Sequence, residues 1–441
     1  MDVLWIAFAV FLATYALISI RRFPKVKVER PAAALIGAAL MIVLGVVDPT
    51  DAISAINLDI VLLLVGMMIL VAGLELCGFF EWVSLRMIRY SKNQFTFLVL
   101  TMVVTGTLSA LVLNDTIVLL FTPIIIRTCR LLKSNPVPFL VAEAMAANIG
   151  SVATAVGNPQ NAYIATKAGI SFIDFSARLV PVAAVCMLVA IAILYLIYRK
   201  EIDQGAAQEF RRKILRDGWA MFQEEIVKGD VLAESGLRKM REQRVGLYAL
   251  LLITAGTFAA FVASHVIDAP IAMVAFVGGV VALFVVPAVS KVKAKDMLNG
   301  VDWSIILFFI GLFIVLRGVR DSGLLTELKD FFPGFEDGGA PTVEWLTALS
   351  ALLSNLVSNV PAVMLLSELI PISETDLWIA LASSSTLAGN ATILGAAANV
   401  IVAEKAEGMG VEVNFWKFTL VGFPVAMATL FVSILMLLVL F

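Results

Sequence analysis

Residues 59–81 read DIVLLLVGMMILVAGLELCGFFE, and residues 304–326 read SIILFFIGLFIVLRGVRDSGLLT. Every glycine of the first segment (Gly66, Gly73, Gly78) has a partner in the second (Gly311, Gly318, Gly323), always 245 residues on. The same offset carries Asn114 onto Asn359. Farther along the offset is 238, taking Thr154 onto Thr392, Gly157 onto Gly395 and Asn161 onto Asn399, as a connection seven residues shorter requires. Apolar sequence matches itself freely at Leu and Ile, but not at a glycine set followed by an asparagine set. The chain therefore reads as an internal repeat, which reorganises every other assignment.

The material of the repeat is membrane-like. Of the 441 residues 61% are hydrophobic and 15% charged, against roughly 45–50% and about 25% in soluble domains. A net charge of −2 gives no electrostatic basis for a nucleic-acid partner. Cys77, Cys129 and Cys186 lie in separate apolar segments without Cys-x-x-Cys spacing, and His265 is the single histidine. A disulfide framework and a multi-histidine metal centre are thereby excluded. No Gly-x-Ser-x-Gly run occurs, which disfavours a membrane enzyme such as an intramembrane protease; no catalytic residue and no cofactor is expected.

Uninterrupted apolar candidates for crossings lie near 3–20, 31–47, 59–80, 180–198, 245–264, 271–288, 303–320 and 415–441. Lys and Arg stay on the cytoplasmic side. A path with Arg21, Arg22, Lys25, Lys27 and Arg30 inside puts 27 of the 32 basic residues on that face, leaving Lys167, Arg178, Arg317, Arg320 and Lys329 outside. The path works only if two apolar stretches enter and leave on one side. Residues 93–126 are flanked by Arg86, Arg89 and Lys92 before and Arg127, Arg130 and Lys133 after; residues 343–370 have acidic surroundings at both ends. Each reads as a re-entrant helical hairpin, with an ordinary crossing pair as the alternative.

These readings give an all-α polytopic membrane protein with two inverted-topology repeats. Each repeat has five crossings, one of them broken, plus one re-entrant hairpin. Repeat 1 covers 1–198, with its hairpin at 93–126 and broken helix at 137–165. Repeat 2 covers 245–441, with its hairpin at 343–370 and broken helix at 376–402. The segment 199–244, with eleven basic and nine acidic residues, is expected as a cytoplasmic linker. Both termini then lie outside a plasma (inner) membrane. The expected partners are the bilayer and a small-molecule or ion substrate, with a second copy of the chain as a further candidate.

Binding in inverted-repeat proteins is expected near mid-membrane, where helices are interrupted. Four interruptions stand out. Two are the hairpin tips, Leu113-Asn114-Asp115-Thr116 and Ser358-Asn359-Val360-Pro361. The others contain Thr154, Gly157, Asn158 and Asn161 in the first half, and Asn390, Thr392, Gly395 and Asn399 in the second. Glycine and proline permit unwound backbone there. Freed carbonyls can take a cation, with Asn114, Asn161, Asn359 and Asn399 as candidate sodium positions, and freed N–H groups can take an anion or a polar oxygen. Asp115, a carboxylate costing roughly 2.5–3.5 kcal/mol at a helix centre, reads either as the group binding a coupling proton or sodium ion or as a helix cap. Glu143 reads as a snorkelling residue near a cytoplasmic end, and Arg317 and Arg320 as anion attractors or anchors.

On these motifs the sequence resembles the ion transporter superfamily, which includes arsenite permeases, divalent-anion/sodium symporters, citrate-metal transporters and sodium/proton antiporters. Leu113-Asn114-Asp115 and Ser358-Asn359-Val360 depart from the Ser-Asn-Thr tips of the symporters. Gly157-Asn158-Pro159-Gln160-Asn161 keeps the broken-helix frame, whereas Gly395-Ala396-Ala397-Ala398-Asn399 lacks its proline. Asn114-Asp115 and the run Gly389–Asn399 are most similar to the arsenite-permease and melanosomal P-protein branch. The resemblance implies ion or substrate sites at Asn114, Asp115, Asn161, Asn359 and Asn399. It also implies an elevator-like secondary active transporter of a small inorganic or organic anion or oxyanion, arsenite-like, coupled to H+ or Na+. A sodium/proton antiporter and a sodium-coupled dicarboxylate or citrate symporter are the alternatives.

Overall fold

The computed structural model describes residues 3–19, 29–91, 93–131, 134–202, 243–331 and 342–440, and among them every regular element is a helix. The first ten are α1 (Val3–Ser19), α2 (Arg30–Val43), α3 (Pro49–Ser54), α4 (Leu58–Leu76), α5 (Phe79–Tyr90), α6 (Gln94–Leu111), α7 (Asn114–Leu131), α8 (Val137–Ser151), α9 (Pro159–Ala168) and α10 (Phe172–Ile202). Ten more follow: α11 (Arg244–Ile267), α12 (Ile271–Val289), α13 (Ala294–Asn299), α14 (Trp303–Asp321), α15 (Leu324–Phe331), α16 (Val343–Val357), α17 (Asn359–Leu366), α18 (Thr375–Ala388), α19 (Ala397–Gly408) and α20 (Phe415–Leu440). Two single 3-10 turns, Gly389–Ala391 and Ile393–Gly395, separate α18 from α19. Most of the segment 199–244 lies outside the described residues, as do Lys92 and Lys133.

Among the described residues seven helices, α4, α6, α10, α11, α12, α14 and α20, are long and apolar enough to cross a membrane; α1, α2, α8 and α16 are apolar but shorter. The chain is an integral membrane protein. Its outer surface fits lipid: along α20, Trp416, Leu420, Phe423, Met427 and Phe431 are all exposed. By length alone α6 is a crossing, and α7 runs to Leu131, beyond the expected end at 126.

The repeated glycines have identifiable jobs. On α4, a Cβ at Gly66 would stand 2.3 Å from the Ala275 carbonyl oxygen of α12; on α14, one at Gly311 would stand 2.6 Å from the Ala34 carbonyl carbon of α2. Each half thus lends a helix whose backbone presses on a helix of the other half, and these are the most extensive contacts between halves. Gly78 and Gly323 turn the chain after α4 and α14 with φ of 80° and 79°, a conformation glycine adopts without a Cβ penalty. Helix starts match too: Asn57 accepts from the Ile60 N–H and Asp302 from the Ser304 N–H.

Helices α6 and α7 form one hairpin, α16 and α17 another, and they open at opposite ends of α10. That helix of 31 residues is about 46 Å long. At its C-terminal end Gln94 and Ser134, at the open end of the first hairpin, are hydrogen-bonded 2.9 Å apart, and Asn135 donates to Glu201 at 2.8 Å. Near its N-terminal end Arg178 pairs with Asp376, and Lys167 pairs with Glu368, just past the second hairpin.

Candidate functional site

Both helix breaks arise from local hydrogen bonding. In the first half Asn158 is extended and accepts from the Asn161 N–H at 2.8 Å, while Pro159 starts α9 without a donor to spare. The Asn161 amide donates back to the Ser151 and Thr154 carbonyls at 2.9 and 3.1 Å. In the second half the Asn399 amide donates to the Gly389 and Thr392 carbonyls at 2.7 and 2.9 Å, the same bonds 238 residues on. Thr392 caps Gly395, so this break forms without proline. Thr154 reaches the Ala110 carbonyl of α6, and Thr392 the Asn355 amide oxygen of α16.

Each hairpin tip is tied to the break of its own half. The Asn114 N–H donates to the Gly157 carbonyl at 3.0 Å. The Asn359 amide nitrogen, turned toward the break, donates to the Gly395 carbonyl at 2.8 Å and the Ser385 carbonyl at 3.0 Å. Asn148 of α8 then joins the halves: its amide donates to Asn390 and Asn399, both at 2.9 Å, and its oxygen accepts from Asn114. Asn158 and Gln160 both donate to Thr386 of α18. Two tips and two breaks form one polar unit.

Beside this unit lies a cavity of about 220 Å³ lined by Asn114 and Asp115, by Ser358, Asn359 and Val360, by Pro159 and Gln160, and by Ala396 and Ala397. Four helix N-termini, those of α7, α9, α17 and α19, therefore converge on it. Those of α17 and α19 are capped by no side chain, which leaves their N–H groups and the positive ends of their dipoles for a ligand. Ser358 holds φ 77° and ψ 159° at the second tip, a region nearly confined to glycine and costing about 1–3 kcal/mol. The remaining wall is Phe308, Phe309, Ile305 and Ile401, and the mouth is formed by Arg30, Asp302 and Ser304, at the end where α2 and α14 begin.

Of the residues singled out by sequence, Asn114, Asp115, Ser358 and Asn359 line the cavity. Thr154, Asn158, Asn161, Asn390 and Asn399 are buried behind it, and Thr116, Gly157, Thr392 and Gly395 are not in its lining. The Asn161 and Asn399 amides donate to the freed carbonyls at the breaks, and the Asn161 amide oxygen is buried without a hydrogen-bond partner. Arg30 at the mouth, Gln160, and the linking residues Asn148 and Thr386 were not singled out. Asn148 carried one signal: an asparagine in the run 137–149, apolar but for Glu143.

One expectation changes. Glu143 is not a snorkelling residue: it is 0% exposed, and it accepts from Thr122 of α7 at 3.0 Å. Arg317 pairs with Asp321 and Asp51, and Arg320 with Glu368, as anchoring residues would. Glu368 is the hub of that end. It also takes Lys167, whose ammonium donates to Tyr163 and Ser367 at 3.0 Å. Burial raises the Glu368 pKa, and the two cations outweigh burial and hold the carboxyl below the ordinary range.

The family model for citrate transporters matches residues 15–376. Among curated relatives, the 46 kDa membrane protein of Mycobacterium leprae is 32% identical over 446 residues, covering 96% of each chain. The silicon efflux transporter LSI3 of Oryza sativa subsp. japonica is 30% identical over 474 residues, covering 95% of this chain and 94% of that one. The P protein of Homo sapiens is 27% identical over 506 residues, covering 98% of this chain and 59% of that protein. A polytopic helical chain matched along most of its length in this way is a membrane transporter, and it belongs to the citrate transporter family of the ion transporter superfamily.

Proposed function

We propose that the chain is a secondary active transporter that moves a small, polyhydroxylated oxyacid of the arsenite or silicate type through the cavity between its hairpin tips. The observation that carries this reading is the convergence of the helix N-termini of both tips and both breaks, with five tip residues, on one cavity of about 220 Å³. That volume is below the roughly 300–1,000 Å³ of pockets for larger ligands. Arsenic(III) and silicon are uncharged hydroxides in neutral water, with hydroxyl donors and oxygen acceptors on one centre. Asp115 and the tip asparagines suit the donors; the uncapped N-termini of α17 and α19 suit the oxygens. The silicon efflux relative supports the same class.

In this reading 1–198 and 245–441 are inverted repeats, 199–244 is cytoplasmic, and both termini face outward across the plasma membrane. The cavity mouth at Arg30 and Asp302 then opens inward. Both hairpins and broken helices form the moving body, and the interlocked pairs α4–α12 and α2–α14 form the static frame. Asp115 binds the coupling proton or sodium ion. One observation favours sodium/proton antiport as a second reading: the cavity itself holds a carboxylate. Flux into proteoliposomes separates the two, with arsenite, silicic acid, citrate and sulfate tested under imposed proton or sodium gradients. Gradient-driven uptake of arsenite or silicic acid supports oxyacid transport; sodium-driven proton movement with no solute dependence supports antiport instead.

A further inference from the structure

The repeat makes one unexplained group conspicuous. Glu143 sits in α8, where the offset of 238 places Leu381 in the sister helix α18; both are 0% exposed. The fold is satisfied by an aliphatic side chain at this level, so packing does not account for a carboxyl. Its setting is specific. Oε2 accepts from Thr122, and Oε1 is buried without a hydrogen-bond partner. Among the described residues it makes no ion pair, and it receives no cation from α6, α10, α18 or α19, the other helices packed on α8. An ionised carboxylate with one hydroxyl donor and an unpartnered oxygen is strongly disfavoured in such a place, so the side chain is held as the neutral acid.

The position couples this acid to the cavity. Thr122 is seven residues from Asp115 on α7, two turns along the same face. Glu143 is five residues from Asn148, the residue that bonds the first hairpin tip and the second break. Pro123, inside α7, removes the donor for the Leu119 carbonyl at this same level, a weak point in the ladder between the two helices. Any shift of α7 against α8 that admits water lets the acid release its proton to that water, and closing the pair requires the proton back.

We infer that Glu143 is a second proton-carrying site of the transport cycle, behind Asp115, so that the coupling ion is the proton. This rests on the oxyacid reading for its cargo but not for its test. Purified full-length protein and Glu143→Gln are compared in the infrared and in proteoliposomes. At neutral pH the wild type shows the carbonyl stretch of a buried protonated carboxylic acid, lost in Glu143→Gln. With arsenite as probe, accumulation driven by a pH gradient falls at least tenfold in the variant, while arsenite exchange at zero gradient is retained. Glu143→Leu, which copies the sister half, behaves alike and covers the case in which the amide disturbs packing. A band that persists in both variants, or gradient-driven accumulation that stays unchanged, overturns the assignment. If wild type moves no arsenite at all, the oxyacid reading fails separately. The dissipation of a pH gradient by wild type, compared with both variants, then decides the carboxyl: equal rates overturn it.

Discussion

Glu368 gives the sharpest test of how its end of the molecule is held. Its carboxylate is 9% exposed and joins three elements: Lys167 at the end of α9, its own segment after the second hairpin, and Arg320 of α14. In Glu368→Gln the ammonium of Lys167, 21% exposed, loses its counter-ion but keeps Tyr163 and Ser367. Breaking a fully buried pair costs about 3–5 kcal/mol, whereas an exposed one contributes roughly 0.2–1 kcal/mol. With Arg320 half exposed, we expect a loss of about 2 kcal/mol, mostly through Lys167. Unfolding in mixed micelles of rising SDS fraction measures it. A cycle with Lys167→Met separates the pair from its surroundings: the double variant should lose about 1–2 kcal/mol less than the sum of the singles.

The pH dependence has a defined sign. The folded carboxyl lies below the ordinary range because its two cations outweigh burial, so the unfolded chain takes up a proton first as pH falls. The stabilisation is complete above the unfolded value of about 4.3 and fades as pH drops through the lower folded value. Wild type and Glu368→Gln should therefore differ at pH 7 and converge in acid. Additive singles in the cycle, or a difference that does not shrink as the pH is lowered into acid, would refute the assignment of Glu368 as the charged hub.

Three further outcomes follow from the same geometry. Asp115→Asn should weaken solute binding or accumulation at least tenfold while leaving the monodisperse protein intact; unchanged accumulation reduces Asp115 to a helix cap. Asn399→Ala should cost about 2–4 kcal/mol in SDS unfolding, since it takes a donor from the Gly389 and Thr392 carbonyls and an acceptor from the Asn148 amide. Asn161→Ala, with no bond across the halves, should cost less. Single cysteines at Arg86 and Arg130 should react with an impermeant thiol reagent from one face of the membrane, and one at Arg178 from the other. Reaction of the first two from opposite faces removes the hairpin.

What was legible in the sequence and what was not divides along a physical line. Glycines and prolines act through backbone geometry that each residue type carries with it. Gly66 and Gly311, Gly78 and Gly323, and the break around Pro159 were accordingly readable one residue at a time. The asparagines were visible as a set, yet not as a division of labour. Asn161 and Asn399 face their own break carbonyls, whereas Asn114 and Asn359 reach the cavity. That choice depends on which partner each amide meets across helices, and a self-alignment does not contain it.

Glu143 shows the same limit more strongly. A carboxylate in an apolar run has two inexpensive explanations, proximity to an interface or a charged partner, and only three-dimensional packing excludes both. Once they are excluded, the repeat becomes a control experiment built into the chain. Leu381 marks what packing requires at that level, Thr122 against Ser367 marks what the hairpin supplies in each half, and the carboxyl is left over. Internal symmetry thus locates the fold by its agreements, and Glu143 opposite Leu381, like Asp115 opposite Val360, stands out as an exception to it.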